Sequence, residues 1–263
     1  MSPDPWFHLA RPDGWDFFTG YTINYRDALG SVVTCPDYTR AHSCGGGIHV
    51  TQRPNACNVG ASFPCSAYLV EPVVGLVRID ATKSKARAIR VVAEITDLDT
   101  FFGWDYTGLC AFLPTIPQIR WLQPDGDPDP TWHLTRRATW REAWAASGAA
   151  AGSPGTTWRK AWASVEGAGR EAMCAAAVCA ARTAAWVAVR GVGVDAAGGS
   201  WNVRGAAGYA AAGMALRYPC AGLPRPTAHV EPLLAQWTVW QKGYALYGEV
   251  HGILHVYAQK GTV

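Results

Sequence analysis

The chain has no run of about 18 apolar residues, because its most apolar stretches are broken by Arg, Asp or Gly, so no membrane-spanning helix is expected. It opens Met1-Ser2-Pro3-Asp4-Pro5-Trp6, without the basic segment and apolar stretch of a secretory leader; no signal peptide is expected, and the protein reads as soluble and intracellular. No Lys/Arg run is dense enough to track a phosphate backbone, and the net charge is only +3, which argues against nucleic acid as a partner. Charged residues make up 16% against 49% hydrophobic, which excludes a chain too polar to fold. Eight cysteines in 263 residues are too sparse for a secreted disulfide scaffold, and the thiols are expected to be reduced.

What is present separates into zones by composition. Residues 1–122 alternate β-branched and aromatic residues with Gly and Pro in a strand-and-turn rhythm. Strands are expected at 47–51, 66–70, 76–80 and 88–95, with a possible bulge signalled by the doublet Val91-Val92 and a polar connection at Asp80-Ala81-Thr82-Lys83-Ser84. One short helix is expected beside them. Residues 123–130, Gln-Pro-Asp-Gly-Asp-Pro-Asp-Pro, hold three prolines and read as a linker.

Residues 131–227 are rich in Ala, Gly, Arg and Trp. Thr139-Trp140-Arg141-Glu142-Ala143-Trp144 recurs as Thr157-Trp158-Arg159-Lys160-Ala161-Trp162, and the i, i+4 spacing puts both indoles of each copy on one helix face. Further helices are expected from about Ser164 to Arg190, where Cys174 and Cys179 read as small apolar residues, and from about Gly205 to Leu216. Residues 228–263 suggest a helix at Val230–Trp237 and a hairpin over Tyr247–Tyr257 turning at His251-Gly252, able to extend the N-terminal sheet. The expected class is α+β: a small N-terminal mixed β-sheet domain, an Ala/Trp-rich helical region, then a C-terminal helix plus β-hairpin.

The chemistry concentrates in Cys35, His42, Cys44, His49, Cys57 and Cys65, all within 31 residues. Cys and His suit tetrahedral zinc, which makes Cys35, His42, Cys44 and His49 the candidate metal ligands, but no Cys-x-x-Cys or His-x₃-His pair is present within this cluster. No cofactor is therefore expected, with zinc as the alternative. Gly45-Gly46-Gly47 leads into a strand rather than a helix, so it reads as a turn with positive φ, not a phosphate loop. Cys44 and His49 have the residue types of a nucleophile–base pair, with Asp37, Glu71 or Asp80 as the carboxylate to orient the imidazole; the catalytic candidates are His49, Cys44 and Glu71. No Gly-x-Ser-x-Gly element and no zinc-deaminase pattern occurs. The balance leans away from an enzyme.

Cys44-x-x-Gly47-Ile48-His49-Val50, Pro54, Leu69-Val70-Glu71 and the stretch from Asp80 through Arg87 to Glu94, with Arg11-Pro12-Asp13-Gly14 and Phe17-x-x-Gly20 before them, resemble a domain of unknown function. That domain recurs in bacteriophage genomes and high-GC bacteria and has a Cys-x-x-Gly-Leu/Ile-His core. The resemblance covers residues 9–96 and departs from the pattern in a longer Cys-containing insert from Asn55 to Pro64. It implies a phage-type accessory protein, virion-associated or partner-binding, found in the host cytoplasm or carried in a virion. Its partners would be proteins or a larger assembly, a homo-oligomer included, with no membrane. A Gly-Ile-x-Val-Thr strand, a helix, then a strand ending in Glu also resembles the middle of ADP-ribosyltransferase domains, which implies an NAD-using enzyme with Gly47–Thr51 and Tyr68 beside the nicotinamide pocket. The chain has no Glu-x-Glu or Ser-Thr-Ser element of that family.

Overall fold

The computed structural model describes residues 4–55, 62–118, 169–190, 200–223, 234, 237, 245–250 and 253–257. The expected linker at 123–130, both Trp repeats, Cys57 and most of the helix expected at 230–237 lie outside the described residues. The class is α+β. Two compact units divide it, one of residues 1–107 with 169–176 and one of residues 108–168 with 177–263.

The first unit holds seven strands: β1 (Trp6–Ala10), β2 (Val32–Thr34), β3 (Ile48–Val50), β4 (Ser66–Val74), β5 (Val77–Arg78), β6 (Ser84–Ala86) and β7 (Ala88–Ile95). They form a four-stranded sheet in the order β1-β4-β7-β2 and a three-stranded sheet in the order β3-β6-β5. Every pairing among the described strands is antiparallel, so the mixed sheet expected from the sequence is corrected to an antiparallel one. In these two sheets only β5 and β6 are joined by a short hairpin link; the other pairs are brought together from strands far apart in the chain.

Only Arg87 separates β6 from β7, so the two are successive parts of one bent strand that serves both sheets. On the other side, Phe7 of β1 exchanges backbone hydrogen bonds with Thr51, one residue beyond β3, at 2.8 and 3.0 Å. Backbone pairing therefore runs round a closed ring from β7 through β4, β1 and β3 to β6. Inside lies the core of Ala10, Tyr25, Cys35, Ile48, Val50, Tyr68, Val70, Ala86, Ile89 and Val91, with Trp6 and Tyr38 packed against it. Alternation assigns the faces: Ile48 and Val50 point inward, and His49 between them does not.

The doublet Val91-Val92 is a bulge, as its sequence suggests. Leu69 pairs with Ala93 and the next residue, Val70, pairs with Val91, which leaves Val92 extra. The strand expected at 76–80 is cut to Val77–Arg78, because Asp80 turns the chain: its carboxylate accepts from the backbone N–H of Thr82 at 2.7 Å and of Lys83 at 2.8 Å. Two short helices follow, α1 (Leu98–Phe102) and α2 (Tyr106–Phe112), where one was expected. Asp97 caps α1 by accepting from Thr100 N, and Gly103 closes it in the left-handed region. Phe63, Phe102, Trp104 and Tyr106 pack as an aromatic cluster, with neighbouring centroids 5.3–6.0 Å apart.

The second unit contains most of α3 (Glu171–Arg190), then α4 (Ser200–Leu216) and a hairpin of β8 (Ala245–Val250) and β9 (Ile253–Tyr257). Both helices fall where Ala-rich composition places them. α4 buries Ala207, Ala210, Ala211, Ala212 and Ala215 completely, and Gly208 lets the Trp186 indole of α3 approach so closely that an added Cβ would sit 3.1 Å from its Nε1. Cys174 is buried as expected, whereas Cys179 is exposed. The hairpin forms where predicted, with Val250 paired to Ile253 in a two-stranded sheet. No described helix is long and apolar enough to cross a membrane.

Candidate functional site

The residues between β2 and β3 form a loop that folds over β6, and its organiser is Lys85. This side chain is completely buried. Its register partner on β3 is His49, so both leave the strand pair on the face opposite the core. The Lys85 Nζ donates to the carbonyl of Gly45 at 2.7 Å, the carbonyl of Ser43 at 3.1 Å and the hydroxyl of Thr39 at 3.3 Å. All three acceptors are neutral oxygens. The ammonium has exchanged its water shell for loop oxygens, and the loop in return has its carbonyls satisfied from below.

The glycine run is what lets the loop close so tightly. An added Cβ at Gly47 would lie 2.9 Å from Lys85 Cδ, in the path of the lysine stem. Gly46 has φ +54 and an added Cβ would lie 2.8 Å from the Asp37 carbonyl, while its own carbonyl accepts from Thr39 N at 2.9 Å. The expected turn with positive φ is thus present at Gly45 and Gly46.

Cys44 stands between the two carbonyls that Lys85 holds, and it is exposed. Its Sγ lies 3.6 Å from the Nζ of Lys83, on the β5–β6 hairpin that Asp80 turns. No hydrogen bond joins Cys44 to His49, so the nucleophile–base pair suggested by their spacing is not assembled. The His49 Nε2 is buried without a partner. Burial first, then the nearby charges of Lys83, His8 and Lys85, lower the His49 pKa to about 4.

The remaining candidates disperse. Glu71, on β4, faces Arg90 at 3.8 Å; Asp37 accepts from the Cys35 thiol at 2.9 Å, and Asp80 is occupied by its turn. None of these carboxylates hydrogen-bonds His49. Cys35 is buried in the core with its pKa raised to about 11, chiefly by desolvation and then by Asp37. His42 is bonded through Nδ1 to the carbonyl of Arg78 at 2.9 Å, and Cys65 is buried against the Tyr106 hydroxyl. Among the described residues, no three His, Cys, Asp or Glu side chains gather where they could hold a metal ion.

Three features escaped the reading of the sequence. Lys83 reads only as part of the polar connection at Asp80–Ser84, and Lys85 only as part of the stretch from Asp80 through Arg87; the signal was a lysine set between Ser84 and Ala86 at the start of a buried strand. His8 was missed with β1. Its Nδ1 contacts the carbonyl of His49 at 2.7 Å, its ring lies 4.1 Å from that of Tyr25, and burial lowers its pKa to about 4 against the raising effects of that hydrogen bond and of Asp16.

The third is a second organised loop at residues 16–23, and its signal was the Asp16-x-x-Thr19 spacing. The Asp16 carboxylate accepts from Thr19 N at 2.6 Å, Thr19 Oγ1 at 2.8 Å, Thr22 N at 3.1 Å, Ile23 N at 3.3 Å and Gly20 N at 3.4 Å. Partial burial pushes its pKa up, but the hydrogen bonds from Thr19, Ile23 and Thr22 outweigh that and hold it below the usual carboxylate value. The loop so fixed displays Phe18 and Tyr21 to solvent, 94% and 76% exposed.

Compared with protein-family models, curated proteins and solved structures, the chain matches none of them.

Proposed function

We propose that the chain is a non-enzymatic, partner-binding structural module, and that its binding element is the loop carrying Phe18 and Tyr21. The observation behind this reading is the combination of exposure and order. Large aromatic side chains are rarely left standing in solvent on a loop fixed by five hydrogen bonds to one carboxylate, and a preordered loop loses little conformational entropy on docking. Aromatic anchors of this kind dominate protein–protein contacts. The resemblance over residues 9–96 supports a phage-type accessory role, with the assembly a virion or a homo-oligomer. Light scattering of the purified chain, alone and with particles from the producing cells, tests this. The wild type should run as part of an assembly, and Phe18→Ser with Tyr21→Ser should weaken association about 30-fold or more. A chain that stays monomeric and leaves the particles unbound would remove the reading.

A second reading, an ADP-ribosyltransferase-like enzyme using NAD, draws on the His49 Nε2, which is buried with no partner. Millimolar NAD should then raise the melting temperature, and His49→Ala should abolish the shift. No shift in the wild type would end it.

A further inference from the structure

We propose that Cys44 and Lys83 are an oxidative cross-linking site, in which a hydroperoxide joins the thiol to the amine and fastens the glycine loop to the β5–β6 hairpin. The Sγ and Nζ already lie 3.6 Å apart. Both come from segments that are held. The backbone on either side of Cys44 is fixed by the bonds from Lys85 to the Ser43 and Gly45 carbonyls, and the hairpin bearing Lys83 is turned by Asp80, which accepts the Lys83 N–H at 2.8 Å. The thiol is exposed, so a small oxidant reaches it, while Cys35 and Cys65 are buried in the same unit.

The chemistry balances with hydrogen peroxide as the named oxidant. The Cys44 thiolate attacks one peroxide oxygen: an S–O bond forms, the O–O bond breaks and hydroxide leaves, so that sulfur is oxidised by two electrons and peroxide reduced. The neutral Lys83 amine then attacks the sulfenic sulfur. An S–N bond forms, the S–O bond breaks, and the departing hydroxide takes a proton from nitrogen and leaves as water. In sum, thiol, amine and one peroxide give a sulfenamide and two waters.

The test is peroxide treatment of the folded full chain, followed by mass spectrometry. The expected product is lighter than the reduced chain by about 2 Da, yields a peptide carrying Cys44 joined to one carrying Lys83 on digestion, and reverts with excess thiol. Lys83→Arg should abolish the linked peptide while Cys44 still forms a sulfenic acid that a dione reagent traps. The linked yield should fall at least tenfold when peroxide is added to the chain in urea, since the fold supplies the proximity. Sulfenic or sulfinic acid at Cys44 without the linked peptide in the wild type, linkage of Cys44 to another cysteine instead, or equal linkage in urea would each overturn the proposal.

Discussion

The loops at residues 16–23 and 39–47 solve the same problem with opposite charges. Each is an irregular segment whose backbone polar groups need partners. Around Asp16 the partners are N–H groups gathered by an anion; around Lys85 they are carbonyls gathered by a cation. Neither charge has a salt-bridge partner in its cradle, so in both cases backbone dipoles supply the solvation that a counter-ion or water would otherwise give. The difference lies in depth. Asp16 is half-buried and its loop carries aromatics outward, whereas Lys85 is sealed and its loop carries a thiol. A fully buried organiser should therefore matter to the whole unit, and a half-buried one mainly to its own loop.

The largest break in that comparison should come from Lys85→Met. It leaves the Ser43 and Gly45 carbonyls and the Thr39 hydroxyl without their donor, and should cost about 3 kcal/mol in chemical denaturation. Acidification should have a similar reach through His8. Its folded pKa of about 4 lies below the ordinary histidine value of 6.5, so the unfolded chain binds the proton more readily. This contribution is complete above pH 6.5, declines as pH falls towards 4, and amounts to roughly 3 kcal/mol at its full extent. His49 acts in the same direction, but less strongly because it is more open to solvent. The His8→Phe variant should flatten the pH 4–6.5 limb of a stability profile.

Gly47→Ala should cost about 2 kcal/mol by crowding the Lys85 stem, and that cost should shrink in a Lys85→Ala background, where a double-mutant cycle would report the coupling. Asp16→Ala should be the smallest, about 1 kcal/mol of global stability, while loosening Phe18 and Tyr21 enough to show in proteolysis or hydrogen exchange. If Asp16→Ala proved as damaging as Lys85→Met, depth would not be what separates the two loops.

What could be read in advance followed range. The strand at 88–95, its bulge at Val91-Val92 and the turn at Asp80 are set by neighbours within a few residues, and they were legible. So were the Ala-rich helices and the terminal hairpin. Lys85 was not, because a lysine reads as solvent-facing until a glycine run 40 residues away is folded over it. The Cys and His residues were visible as a group but not as individuals. Cys35, one residue past β2, turns into the core, while loop conformation gave His42 to Arg78 and Cys44 to Lys83. β1 was missed because Trp6–Ala10 is short and finds its partners far along the chain, at Thr51 and Ser66–Val70.

That strand carries a liability. β1 stands between β4 and Thr51, so its departure would uncover a row of backbone donors and acceptors along β4 and those of Thr51 as well. Rows of that kind recruit strands from other molecules. A chain shortened by its first ten residues should thus tend to associate through β4, and a free peptide of the β1 sequence should compete for the vacated seam. The ring of strands is closed by β1 alone, five residues whose place another copy's β1 would take in exchange.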